Sequence, residues 1–403
     1  MTDHGPGREP DTPPPVVESW VDRATGVGSS VGRSLLLPTL AVITALIIGG
    51  IIIALSDTDS LRILFSDPGT ALSNMASEVW ASYRALFRGS IGSVYAISET
   101  LFAATPLLIA ALGIALGFQA GLFNIGAQGQ MIMGALVATY VGVYVSAPAI
   151  VHVPLTLFAG IVGGLIWGGI PGLLKARTGA HEVITTIMFN FIALYFIQWI
   201  LTTPGLQDPG RNNPVSAALA ETARLPRLFG SSYRVTIAFL IALAAVYGVH
   251  WLLYKSSIGF EFRAVGANPH AGRYAGMNVA FVITLAMSIA GGLAGMAGAN
   301  QVMALDPYKA SPALAGFVGF DAITVALLGR SNPIGVMWAA LLFGALSAGG
   351  REMQGAAQVP IDLVVVLQAL IVIFVAAPGL IRAIWRVKGE TTESYQVTSG
   401  WGA

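Results

Sequence analysis

The stretch Gly117-Phe118-Gln119-Ala120-Gly121-Leu122-Phe123-Asn124-Ile125-Gly126-Ala127-Gln128-Gly129-Gln130 interrupts two long apolar runs, 99–117 and 128–147. A glycine inside a helix costs roughly 1 kcal/mol relative to alanine, so Gly117, Gly121, Gly126 and Gly129 weaken a continuous helix here. In a bilayer such a break survives only where protein or a water-filled cavity surrounds it. Asn124, Gln128 and Gln130 bring amide donors and acceptors to the break. Amides of this kind either meet the hydroxyls and heterocyclic edges of an uncharged ligand or bond neighbouring helices. Both readings are open from the residues alone.

The rest of the chain supplies the bilayer. Its 403 residues are 55% apolar and only 10% charged, with mean hydropathy +0.73. A soluble domain carries roughly 25% charged residues to face water, so lipid covers this surface instead. The abundant glycine, 48 residues, fits close helix packing in a membrane. A net charge of +1 gives no general basic field for nucleic acid. No cysteine is present, which excludes disulfides, thiolate metal sites and a cysteine nucleophile. His4, His152, His181, His250 and His270 are scattered without metal-ligand spacing.

Apolar runs occur at 35–55, 99–117, 128–147, 153–174, 183–203, 234–254, 278–303, 316–329, 334–350 and 361–381. The spacing predicts an all-α, polytopic membrane helix bundle of about 10 transmembrane segments, with a broken Gly-rich stretch inside it. The first run is too long for a signal-peptide core and lacks a small-residue cleavage pattern, so it is retained. The run 316–329 is short enough to be a half-helix. Residues 1–33, rich in Pro and Gly, read as a disordered cytoplasmic tail. Residues 34–381 form the transmembrane domain and 382–403 a second cytoplasmic tail. Lys and Arg in the short loops favour both termini in the cytoplasm. That puts the longer loops 56–98 and 204–233 outside. In the first of these, Met75, Val79, Leu86 and Phe87 with Trp80 and Tyr83 suggest an interfacial helix.

The internal loop 255–277 is longer than a connector requires. Asn268 followed by Pro269 signals a helix start, predicting a short cytoplasmic helix from Pro269 to about Gly276. Such a helix can dock into a partner's groove. No Gly-Lys dipeptide occurs, so the chain has no Gly-x-x-x-x-Gly-Lys loop to cradle ATP phosphates.

Polar groups within the runs are few. Asn190 lies mid-run, Asn300 and Gln301 lie late in 278–303, and Asp321 lies early in 316–329. For each of these, helix–helix bonding or capping is the simpler reading. Glu99, Glu182 and Asp362 sit at segment ends, and no Lys or Arg is mid-run. An ion-coupled carrier needs a buried titrating carboxylate, and Asp321 is the nearest candidate. The pattern fits a neutral solute moved by a pump driven from outside the membrane, with no covalent chemistry on this chain.

Four motifs carry a resemblance. Gly121-Leu122-Phe123-Asn124-Ile125-Gly126-Ala127-Gln128-Gly129-Gln130 resembles the Gly-Leu-Phe-Asn-Ile-Gly-Ala-Glu-Gly-Gln signature of the nucleoside and simple-sugar branch of the branched-chain amino acid/ribose type ABC permeases. His181–Asn190, Arg263–Pro269 with Arg273–Met277, and Gly319–Pro333 are similar to three further motifs of that family. The resemblance covers about residues 90–380, and Gln128 replaces the usual Glu. It implies an importer permease for a nucleoside, or alternatively ribose or another monosaccharide, in the bacterial inner membrane. It implies a substrate pathway at Phe123, Asn124, Gln128, Gln130, Asn190 and Asp321. It implies contact with an ABC ATPase through Arg263, Gly266, Asn268, Pro269, Arg273 and Gly276. ATP and Mg would then bind the ATPase. A second, distinct permease and a periplasmic or lipid-anchored solute-binding protein would complete the assembly. An ion-coupled secondary transporter is the alternative of a different class.

Overall fold

A computed structural model describes residues 20–314, 316–357 and 359–386. The order is α1 (Trp20–Ser56), α2 (Thr58–Ile63), α3 (Pro68–Ile91), α4 (Val94–Gln119), α5 (Ala127–Tyr144), α6 (Ala149–Thr178), α7 (Glu182–Ile200), α8 (Ala238–Lys255), α9 (Ser257–Ala267), α10 (Pro269–Tyr274), α11 (Val279–Ala304), α12 (Val318–Leu328), α13 (Pro333–Ala357), α14 (Ile361–Ala376) and α15 (Pro378–Trp385). Among the described residues, β structure is limited to two isolated bridges, Gln207 with Ser216 and Arg227 with Thr236. The expected all-α membrane bundle is therefore observed.

Each of the ten apolar runs is helical. Among the described residues, seven helices are long and apolar enough to span a membrane: α1 from Thr39, α4, α6, α7, α8, α11 and α13. The pair α14 and α15 passes jointly but bends by 93° at its break. A helix gains 1.5 Å per residue, so the 11 residues of α12 cover only about half of a ~30 Å hydrocarbon layer. The 316–329 segment is thus a half-helix. α5 falls short of spanning composition because Gln128 and Gln130 occupy its first turn. It tolerates them because protein surrounds that turn, and both residues are buried.

The centre of the bundle is α4, α5, α6 and α11. α4 buries most of its length, from Leu107 through Gly117 on every face. The α6–α11 seam is built on small residues. A methyl added at Gly164 would lie 2.6 Å from Gly295 Cα, and one at Gly168 would lie 2.6 Å from the Met287 carbonyl oxygen. Backbones this close leave no room for side chains, and van der Waals packing is what joins helices in lipid. Gly134 of α5 abuts Gly295 as well, so three helices meet at one point. A separate apolar cluster joins α1, α3, α13 and α14 through Ala41, Ala45, Leu86, Leu346, Val364, Leu367 and Ile371.

Three sequence boundaries shift. The first helix begins at Trp20 and replaces the expected tail over 20–33, while residues 1–19 lie outside the described residues. The helix α15 carries the chain past residue 381, and 387–403 likewise lie outside them. The 56–98 stretch is two capped helices rather than a loop. Asp57 accepts from the Asp59 and Ser60 amides, and Asp67 from the Thr70 amide. Met75 and Leu86 of α3 are buried, whereas Trp80 and Phe87 are exposed, and the Tyr83 hydroxyl donates to the Leu46 carbonyl. The 204–233 stretch does remain irregular. It lies over the ends of α5 and α11, where Ala220 donates to the Gly142 carbonyl at 2.9 Å and Leu225 to Met303 at 3.0 Å.

Candidate functional site

The broken stretch folds on itself. After α4 the chain turns at Gly121, whose φ of +69° is left-handed. A side chain there would also strike Gly266 of α9, whose Cα would lie 2.8 Å from the added methyl. Beyond the turn, Asn124 Nδ2 donates to Gln130 Oε1 at 3.1 Å and Gln130 Nε2 donates to Asn124 Oδ1 at 3.2 Å. Asn124 Oδ1 also accepts from the Gly126 amide at 2.9 Å. Asn190 of α7 spans the start of α5, accepting from the Gly129 amide at 2.7 Å and donating to the Ile125 carbonyl at 2.9 Å. Gln128 holds the entrance of α12. Its Nε2 donates to the Gly316 carbonyl at 2.7 Å, and its Oε1 accepts from the Gly319 amide at 2.9 Å.

The structure therefore brings Asn124, Gln128, Gln130 and Asn190 together, and gives each of them a protein partner. Phe123 packs against Phe118, with ring centroids 5.1 Å apart. Between the two readings of the amides, these bonds favour helix-joining, because buried amide atoms paired within the protein have little left to offer a ligand.

Asp321 stands apart from the amides, in a cavity of ≈230 Å³. The walls come from α4 (Phe102, Pro106), the end of α11 (Asn300, Gln301), α12 (Asp321) and the end of α13 (Ser347, Arg351), with Arg234 preceding α8. Asn300 is 4% exposed, yet its Oδ1 has no hydrogen-bond partner. Glu99 of α4 ties the rim together. Its Oε2 accepts from Arg234 at 3.0 Å and from Arg351 at 3.1 Å. Arg234 also lies over the Phe102 ring at 4.2 Å. In the sequence Glu99 reads only as a segment end, and nothing local marks Arg234 or Arg351 as its partners, because they lie in different segments. The signal available was charge at three segment ends that the expected topology puts on one side.

At the opposite end of α4 sit α9 and α10. The Ser256 hydroxyl caps α9 by accepting from the Gly259 amide, and Asn268 Oδ1 caps α10 by accepting from the His270 and Ala271 amides at 2.9 and 3.0 Å. Pro269 occupies the first helical position, as expected. Gly276, at φ +83°, ends the turn after α10, as left-handed glycines do after helices. Arg273 and Tyr274 are exposed, Tyr274 at 94%. Arg263 is not presented in the same way, because it lies 5.3 Å over the Tyr254 ring and fixes α9 against α8.

A bundle with a broken central span, a half-helix and an exposed short helix at one end is the architecture of a multi-pass membrane protein. Similar proteins include the guanosine ABC transporter permease protein NupP of Bacillus subtilis, 35% identical over 87% of this chain and 95% of its own length. A glucose ABC transporter permease protein of Haloferax volcanii is 35% identical over 84% of this chain and 86% of its own length. The nucleoside ABC transporter permease protein NupB of Lactococcus lactis is 31% identical over 87% and 93% respectively. Residues 96–376 match the family described as branched-chain amino acid transport system / permease component, and the chain belongs to that family. No solved structure matches it.

Proposed function

We propose that this chain is the membrane-spanning permease subunit of an ABC importer for a nucleoside in the bacterial inner membrane. The observation that carries the reading is α10. It is a capped six-residue helix with Arg273 and Tyr274 exposed, seated on α9, whose Gly266 touches the broken stretch at Gly121. In this reading a separate ABC ATPase binds ATP and Mg and docks on α9 and α10, through Gly266, Asn268, Pro269, Arg273 and Gly276. A second, distinct permease packs beside this one, and a solute-binding protein docks on 204–233 and α3. Closure of the ATPases moves α10, and the bundle alternates between outward and inward openings. Both chain termini then lie in the cytoplasm, and the cavity at Asp321 faces outside.

The nucleoside assignment draws on the guanosine and nucleoside relatives. A monosaccharide is the second reading, favoured by the glucose relative at equal identity. Membership of the permease family speaks against an ion-coupled carrier.

Co-purification from native membrane in mild detergent tests the proposal. Recovery of an ATPase, a second permease and a binding protein that takes up guanosine is the expected result. A chain recovered alone, or as a homo-oligomer without ATPase, overturns it.

A further inference from the structure

We infer that the cavity between Asn300, Asp321 and Arg351 is a solute site, and that it takes the hydroxyl-bearing sugar ring of the solute rather than its base. The inference rests on the importer reading above and assigns the part of the solute that this chain recognises.

Four observations carry it. First, Asn300 Oδ1 is a buried acceptor with no partner in the protein, in a residue only 4% exposed that lines the cavity wall. Buried polar atoms are paired in the great majority of cases, and one left open in a cavity points to a donor supplied from elsewhere. Second, the Asp321 carboxyl lines the same cavity from the facing half-helix. A carboxylate and an amide oxygen are both acceptors, and adjacent ring hydroxyls present two O–H donors side by side. Third, the charges around the site balance. Arg234 and Arg351 share the Glu99 carboxylate, and Asp321 lies on the same wall. Two guanidiniums and two carboxyls balance in formal charge, which suits a neutral solute. Fourth, the volume of ≈230 Å³ is below the roughly 300–1,000 Å³ of pockets that enclose a whole drug-sized ligand. It suits one ring. A hydroxylated ring is also the one feature that a guanosine permease and a glucose permease share by the chemistry of their solutes.

The amides of the broken stretch offer no rival site, since each is already bonded within the protein. The larger apolar groove between α5 and α7, at Tyr140, Tyr144 and Phe196, has almost nothing to offer a hydroxyl.

The test measures uptake by cells carrying the complete transporter, with labelled guanosine and with its dideoxy analogue, which lacks both secondary ribose hydroxyls. Asn300→Leu and Asp321→Leu are compared with wild type, each normalised to the amount of chain in the membrane. The binding protein is the same in every strain, so its own preference cancels from the variant-to-wild-type ratio for each probe. Removing an unpaired buried acceptor does not unmake any bond of the fold, so Asn300→Leu inserts normally. The expected result is a loss of guanosine uptake of about tenfold in each variant, with the analogue changed less than about twofold, because sites built on a hydroxyl bond lose selectivity when it goes. A parallel fall for both probes overturns the inference and makes the two residues structural. Unchanged guanosine uptake overturns it as well. Wild-type cells that take up no guanosine overturn the nucleoside reading itself, and this inference with it. That outcome is told apart from the others because it appears before any substitution is made.

Discussion

Asn124 and Gln130 clasp each other through both amides, each donating to and accepting from the other at 3.1 and 3.2 Å, and so tie the break after α4 to the first turn of α5. The clasp pairs both amides and the Gly126 N–H within the protein, inside the bundle. Asn124→Leu leaves the Gln130 amide and the Gly126 N–H without partners. Each orphaned group costs about 1–3 kcal/mol, so the expected outcome is loss of folded chain together with uptake. Thermal melting of the purified chain in detergent checks this, and an unchanged melting temperature with reduced uptake would return Asn124 to a ligand-binding role.

Gln128 is the position at which the family signature carries Glu. Here its two ends do opposite work, donating to the Gly316 carbonyl and accepting from the Gly319 amide. Gln128→Glu keeps the acceptor but removes the donor, so an ionised carboxylate would face a carbonyl oxygen. The expected outcome is a loosened α12 start, visible as faster amide hydrogen exchange over 316–321, with α6 and α11 unchanged. Equal exchange in both proteins would show that α12 is seated by other contacts.

The α6–α11 seam has no slack. A methyl at Gly168 would stand 2.6 Å from the Met287 carbonyl oxygen and 2.9 Å from Gly291 Cα. Gly168→Ala is expected to cost about 1–3 kcal/mol through overpacking. Gly248 of α8 has nothing within 4 Å of an added methyl, so Gly248→Ala is the matched control and leaves stability at or above wild type. Comparable losses in the two variants would show that the seam is not the tight contact.

Docking through α10 predicts a separation of functions. Arg273→Glu, or deletion of 268–276, is expected to abolish uptake while the chain still inserts and the remaining helices keep their melting behaviour. Asn268→Ala is milder, since loss of an N-cap costs about 1 kcal/mol. ATPase activity of the reconstituted complex, measured with and without solute, reads the coupling directly. Wild-type solute stimulation in the deletion would remove α10 from the docking surface.

On the loop side, Asp208 bonds Lys309 at 2.6 Å and pairs with Arg211 at 3.7 Å. The hydrogen bond from Lys309 is the largest cause holding the Asp208 carboxyl below its usual range, with the Gly210 amide adding to it. A depressed folded value means the contact contributes above the ordinary aspartate value of about 3.9 and is lost as pH falls through the lowered one. Protection of 204–233 from protease is therefore expected to be flat from about pH 5 upward and to fall below about pH 4. Asp208→Asn flattens that fall, and a profile identical to wild type would assign the acid sensitivity to another group.

The helices were legible because apolar runs of spanning length leave lipid as their only partner. The cap at Asn268 and the helix start at Pro269 were legible because both act within a few residues of themselves. The role of the amides was not, since whether Asn190 meets a solute or the Gly129 N–H depends on where α7 lies in space. The cavity was less legible still. Glu99, Arg234, Asn300 and Arg351 are brought together from four separate segments, and no local pattern announces such a meeting. The helix from Trp20 was hidden because Pro and Gly dominate the start of the chain, and composition speaks for a whole stretch rather than for its later part.

The half-helix α12 hangs from the broken stretch at both ends. Gln128 holds its start at Gly316 and Gly319, and Gln119 Nε2 holds the turn after it through the Ser331 carbonyl at 3.2 Å. Between those two holds the chain touches α9, where Gly121 meets Gly266. Only a handful of contacts thus separate α9 from the half-helix that carries Asp321. The contacts that seat α12 and those that meet α9 therefore fall within one short stretch, residues 119–128, set apart from the packed α6–α11 seam.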